Sequence, residues 1–113
     1  MNLILLGAQE AERWVTVGFN LEESYYKELE SIIKSSGVDQ STYLRKVFLN
    51  HLKDKPLNSS TPLSNYVHGE RSRLLMFKLE DQERRKLEQR ARTCGVYLSV
   101  YLRGIIIEHL NNK

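Results

Sequence analysis

Slid along itself by 58 positions, the 113-residue chain places residues 13–55 on residues 71–113 without a gap. The strongest echo is SGVDQSTYLRKVFLNHL (36–52) against CGVYLSVYLRGIIIEHL (94–110). The identities are Arg13/Arg71, Phe19/Phe77, Leu21/Leu79, Glu22/Glu80, Leu29/Leu87, Glu30/Glu88, Gly37/Gly95, Val38/Val96, Ser41/Ser99, Tyr43/Tyr101, Leu44/Leu102, Arg45/Arg103, His51/His109, Leu52/Leu110 and Lys55/Lys113. They fall mainly where a fold needs them, not in a low-complexity run. Two copies are too few for a solenoid, which needs three or more, so the repeat predicts two like units that pair.

Each copy reads as three parts. A short segment comes first, RWVTVGFNL and RSRLLMFKL. Val15, Val17, Phe19 and Leu21 alternate with Trp14, Thr16, Gly18 and Asn20, the period of a half-buried strand. In the second copy Leu75, Phe77 and Leu79 hold the inward face, while Leu74, Met76 and Lys78 alternate with them. A Glu-rich first turn then opens a helix, as the macrodipole favours. Leu29, Ile32, Ile33 and Ser36 line its stripe in one copy, and Leu87, Ala91 and Cys94 in the other. At that spacing Cys94 packs rather than reacts. Gly37 and Gly95 end these helices, where a left-handed residue is cheapest without a Cβ. A second helix runs from about Gln40 to Lys53 and from Leu98 to Asn111, with stripes Leu44, Val47, Phe48, Leu52 and Leu102, Ile105, Ile106, Leu110. Asp39 is a good N-cap for the first; Tyr97 stands there in the second and caps poorly.

Residues 1–12 form an N-terminal arm, 13–55 the first repeat, 56–70 a linker and 71–113 the second repeat. The linker carries Pro56, Pro62 and three serines and breaks helix. Its span of ~50 Å when extended is ample to return the chain beside the first strand. A lone strand leaves its backbone groups unsatisfied, and 43 residues is a marginal size for folding alone. Pairing solves both problems. The expected fold is mainly α with one two-stranded antiparallel β-ribbon, a pseudo-twofold unit with helices on the inner face and nothing on the outer. Strands exchanged between two chains would satisfy the same pattern.

Charge is unevenly spread: the net +3 divides into +1 for residues 13–55, +5 for 71–113, and −3 over the arm and linker. Such asymmetry marks either a nucleic-acid surface or a solvated helix face such as RRKLEQRAR (84–92). One cysteine forms no internal disulfide and suits a reducing compartment. One Cys and three scattered His do not make a zinc site. MNLILLG is too short for a signal peptide or a membrane span. A soluble intracellular protein is expected, with no cofactor, metal or membrane partner.

The motif is a strand ending in an inward Leu, sixteen residues to a Gly, and then G-V-x-x-S-x-Y-L-R, as FNL…SGVDQSTYLR and FKL…CGVYLSVYLR. It resembles the ribbon-helix-helix family, the Arc/MetJ superfamily, over both copies and roughly three quarters of the chain. The wording GVYLSVYLRGIII is most similar to the plasmid mobilisation branch, and two units in one chain to the TraY-type proteins of conjugative plasmids. The resemblance implies a cytoplasmic bacterial protein whose ribbon lies in the major groove of double-stranded DNA. It implies base reading by Thr16, Gly18, Asn20, Leu74, Met76 and Lys78. Asn20 suits adenine, Lys78 guanine, and Thr16 a polar edge or a thymine methyl. Gly18 lets a backbone approach closely. Leu74 and Met76 depart from the polar pattern: outward, they pack on thymine methyls or form a protein contact, and a one-residue slip would bring Arg73 outward instead.

Phosphates are expected at the N-terminus of each second helix, at Gln40 and Ser41 and at Leu98 and Ser99, with Arg13, Arg71 and Arg73 flanking the strands. Asp39 would repel a phosphate slightly unless its charge is turned into the cap. The two unlike strands ask for a short non-palindromic site, with several copies assembling cooperatively or bending the DNA. A relaxosome accessory factor at a transfer origin, with a relaxase as partner, fits this reading. A repressor of its own operon fits the same ribbon.

An enzyme is not expected. His51 and His109 are equivalent positions suited to structure, and His68 lies in the linker with no nucleophile or carboxylate set around it. Antitoxins of the family wrap a toxin with a C-terminal tail; the sequence stops at Lys113, directly after the second helix, and is expected to lack one. Trp14 and Tyr66 are the remaining candidate anchors for a protein.

Overall fold

The computed structural model describes residues 13–54 and 71–112. The N-terminal arm, the linker with Tyr66 and His68, and Lys55 and Lys113 lie outside the described residues. The elements follow in the order β1 (Trp14–Glu22), α1 (Glu23–Ser36), α2 (Gln40–Asp54), β2 (Ser72–Glu80), α3 (Asp81–Thr93) and α4 (Leu98–Asn111). The described fold is mainly helical with one two-stranded antiparallel sheet. None of the described helices is long and apolar enough to cross a membrane.

Alternation along both strands sets the sheet's two faces. Val17, Phe19, Leu21, Leu75, Phe77 and Leu79 are buried beneath the helices. The chain's three phenylalanines meet there: Phe48 of α2 stacks on Phe77 at 4.9 Å between ring centres, and Phe19 meets both edge-on. Burial of a phenylalanine side chain is worth about 1.5–3 kcal/mol.

Helix ends follow local chemistry. Gly37 (φ 77°) terminates α1 in the left-handed region, and Gly95 (φ 75°) does so one residue past Cys94 at the end of α3. The Gly95 and Val96 amides donate back to Arg92 and Ala91, closing orphan carbonyls of the last turn. At the start of α3, Glu80 and Glu83 form a reciprocal capping box. Ser36, expected in the apolar stripe of α1, is exposed instead; its hydroxyl donates to the Ile33 carbonyl at 2.6 Å. Cys94 is half-buried and packs against the core.

The two copies are held together by their shared residues, and the contacts run crosswise. The Glu23 amide donates to the Arg71 carbonyl and the Asp81 amide to the Arg13 carbonyl, at 2.8 and 2.6 Å. Tyr101 is hydrogen-bonded to His51 at 2.7 Å and Tyr43 to His109 at 2.9 Å. Both histidines thus bridge α2 and α4. Arg103 grips Glu22 with two nitrogens, and its counterpart Arg45 lies 3.8 Å from Glu80. Among the identities, the Glu22/Glu80, Tyr43/Tyr101, Arg45/Arg103 and His51/His109 positions each have a partner in the other copy.

The copies differ in depth. Residues Tyr101 to Ile107 of α4 are all buried, whereas α2 buries only Leu44, Phe48 and His51. A helix apolar nearly all round belongs inside, and Ile105, Ile106 and Ile107 in succession carry that signal. Arg90 of α3 is also buried, donating to the His51 and Leu52 carbonyls at the C-terminal end of α2.

Candidate nucleic-acid interface

Residue i of β1 faces residue 94 − i of β2, so Thr16 lies opposite Lys78, Gly18 opposite Met76 and Asn20 opposite Leu74. All six lie on the face away from the core, and all except half-buried Gly18 are exposed. The structure therefore brings the expected base-reading residues onto one surface. Arg73 stays on the other parity at the strand end, opposite Leu21, so the one-residue slip is not adopted. Lys78 N–H donates to Ser41 Oγ at 3.0 Å and the Met76 carbonyl accepts from Gln40 Nε2 at 3.2 Å. These groups point away from β1, which makes the outward pairs the non-hydrogen-bonded ones, with closer side chains.

The space over Gly18 is not empty. A Cβ there would lie 3.3 Å from Leu74 Cδ1 and 3.7 Å from Met76 Cγ. Gly18 thus makes room for two neighbouring apolar side chains, rather than leaving bare backbone for a ligand.

The expected phosphate-binding residues divide into two groups. Gln40 and Ser41, at the start of α2, are tied to the outer edge of β2 and so hold that helix end beside Lys78. Asp39 is exposed but directs its charge at the helix start: the Thr42 hydroxyl, with the amides of Thr42, Asp39 and Ser41, holds its carboxyl below the usual range. At α4, Tyr97 makes no side-chain cap; Leu98 is half-buried and Ser99 exposed. The arginines occupy exposed ion pairs, Arg13 with Glu80 and Arg73 with Glu23, both at 3.0 Å. The Arg73 hydrogen bond holds the Glu23 carboxyl below its usual range. Such surface pairs are weak, screened by solvent, and open cheaply for a stronger anion. Arg71 is exposed at the entry to β2.

A basic depression extends this surface beyond the ribbon. Trp14, Ser41, Thr42, Arg45, Lys46, Leu49, Asn50 and Lys78 line it. The guanidinium groups of Arg13 and Arg45 both lie near the Trp14 ring, 5.7 and 5.1 Å from its centre. Arg45 is bidentate to Glu83, at 3.1 and 2.7 Å. Burial acts to raise the Glu83 carboxyl, but Arg45 and the Glu80 amide outweigh it and keep it below its usual range. Sequence reasoning missed Lys46 and Asn50, whose counterparts are Gly104 and Glu108. The signal was this divergence at helix positions with outward spacing.

Family models, curated proteins and solved structures contain no match to the chain. The site's chemistry therefore rests on its own residues. Among the described residues, no group of three or more His, Cys, Asp or Glu is placed to hold a metal ion.

If this face binds a polyanion, Arg71→Ala is expected to weaken binding to all duplex sequences alike. It should also reduce the slope of log affinity against log salt by about 1. Titrations between low and physiological salt read this directly; a sequence-dependent loss would assign Arg71 to base reading instead.

Proposed function

We propose that the two repeats form an intramolecular, pseudo-twofold ribbon-helix-helix unit that reads the DNA major groove with the outward face of its ribbon. The observation that carries this is the sheet's outward face, which presents Thr16 beside Lys78 at one end and Asn20 at the other, with none of the described helices over them. The crosswise pairs Tyr101–His51 with Tyr43–His109, and Glu22–Arg103 with Glu80–Arg45, support the pseudo-symmetry. So does the direct pairing of Gly18 with Met76, which are equivalent positions in the repeat. A two-stranded ribbon fits the major groove, where each base pair presents a distinct set of donors and acceptors. Helix N-termini beside the ribbon and flanking arginines supply the positioning contacts to phosphates.

In this reading the protein is a relaxosome accessory factor, bound beside a transfer origin of a plasmid or mobile element, with any nicking left to a relaxase. The resemblance to mobilisation proteins supports that role over repression of its own operon; the ribbon itself serves both.

Selection of the purified protein against randomised duplex DNA at physiological salt tests the reading. A short, non-palindromic motif is the expected outcome, located on its element at a transfer origin. The same motif at a promoter would transfer the role to a repressor. No enriched motif would remove DNA reading altogether.

A further inference from the structure

The outward face of the ribbon changes character along its length. At one end Thr16 faces Lys78; from the middle onward Gly18 faces Met76 and Asn20 faces Leu74. Leu74 and Met76 are 61% and 54% exposed, while Leu75 and Phe77 between and beside them are 2% exposed. Their side chains converge over Gly18. Half of the face is therefore an apolar ridge, seated where β1 has given up its own side chain.

Base edges in the major groove are mainly polar, and their one bulky apolar group is the C5-methyl of thymine. A leucine and a methionine pressed against N7, O6 or amino groups would strip them of water and return no hydrogen bond, which is unfavourable. Against a C5-methyl the same side chains gain by burial. Charge favours a nucleic acid over an apolar protein surface as the occupant: Lys78 stands two residues from Met76 on the same face, Arg71 is exposed just before the strand, and Arg45 and Lys46 line the depression that Lys78 borders.

Building on the proposed DNA reading, we infer that the Leu74–Met76 half of the ribbon is a reader of C5-methyl groups. Asn20 and Leu74, directly opposite each other with Cβ atoms roughly 5 Å apart, divide an A·T step between them. The amide takes an adenine edge, and the leucine takes the methyl of the paired or adjacent thymine. Met76 covers the next methyl toward the centre. Lys78, at the far end, takes guanine. The target is polarised: thymine methyls lie under one half of the ribbon and a G·C pair under the other.

The test uses the full chain and its selected duplex, made either with thymine or with deoxyuridine at single positions. Uracil keeps every hydrogen-bonding group of thymine and lacks only the methyl. Each substitution under the Leu74–Met76 half should weaken binding about fourfold, the equivalent of burying one methyl. Substitutions under the Lys78 half should have no effect. The Leu74→Ala/Met76→Ala chain changes only exposed side chains and should bind thymine and uracil duplexes equally. A selected motif bound with no preference for thymine over uracil would overturn the methyl reading and leave DNA recognition standing. Failure to bind any duplex would overturn both, and would make the ridge a protein contact.

Discussion

Arg103→Met is expected to cost about 3–5 kcal/mol of folding stability, because it leaves a buried carboxylate without its countercharge. Glu22 and Arg103 are 0% and 1% exposed and joined by two hydrogen bonds. Arg45, the same residue of the other repeat, should behave differently. Its side chain is 35% exposed and chiefly engages Glu83, with Glu80 at 3.8 Å. Arg45→Met should cost about 1 kcal/mol or less. The contrast has a local cause: the second copy has Glu83 where the first has Tyr25, and Glu83 takes Arg45 in a part-exposed pair. Replacing both members, as Glu22→Leu with Arg103→Met, should recover most of the loss, since apolar groups of similar volume do as well as a buried ion pair. Urea denaturation of the four chains measures all of this, with an unchanged slope required for the comparison. Equal costs for Arg103→Met and Arg45→Met would show that burial of the first pair is not what matters.

Asn20→Ala combined with Lys78→Ala is expected to abolish sequence preference under the proposed function while leaving the fold intact. Each side chain is exposed, and the Lys78 contact to Ser41 runs through its backbone amide, which alanine keeps. A good base contact carries about 1–3 kcal/mol of discrimination. Asn20 and Lys78 sit at opposite ends of the outward face, roughly 13 Å apart at the rise of a strand. At that separation their effects should add, to about 2–6 kcal/mol. Selection with the double variant should return no motif, yet salt-dependent binding to any duplex should remain, because the arginines and helix ends are untouched. An unchanged motif would exclude this face as the reader. Loss of all binding together with a lowered melting temperature would instead trace the effect to folding.

Much of the fold was legible because its signals are local. A period of two in VTVGFNL and RLLMFKL assigned the inward and outward faces, and the register follows because a one-residue slip would turn Phe19 and Phe77 into water. Gly37 and Gly95 marked helix ends that need a positive φ. Asp39 was readable as a cap, and Tyr97 as a poor one.

Other features depend on what arrives from elsewhere in the chain. Arg45 and Arg103 are identical in the repeat, yet one is half-exposed and the other buried, a difference set by their neighbours. His51 and His109 read as structural, but their tyrosine partners lie across the molecule and no spacing reveals them. Gly18 read as an opening for close approach, until Leu74 and Met76 from the facing strand filled it. The basic depression beside Lys78 joins β1, β2 and α2, and no single segment contains it. The sequence by itself determined the elements, their ends and the face each strand turns inward, because periodicity and backbone preference act over a few residues. Only the tertiary structure decided which arginine is buried, which tyrosine meets which histidine, and what lies over Gly18, because those depend on contacts between segments far apart in the chain.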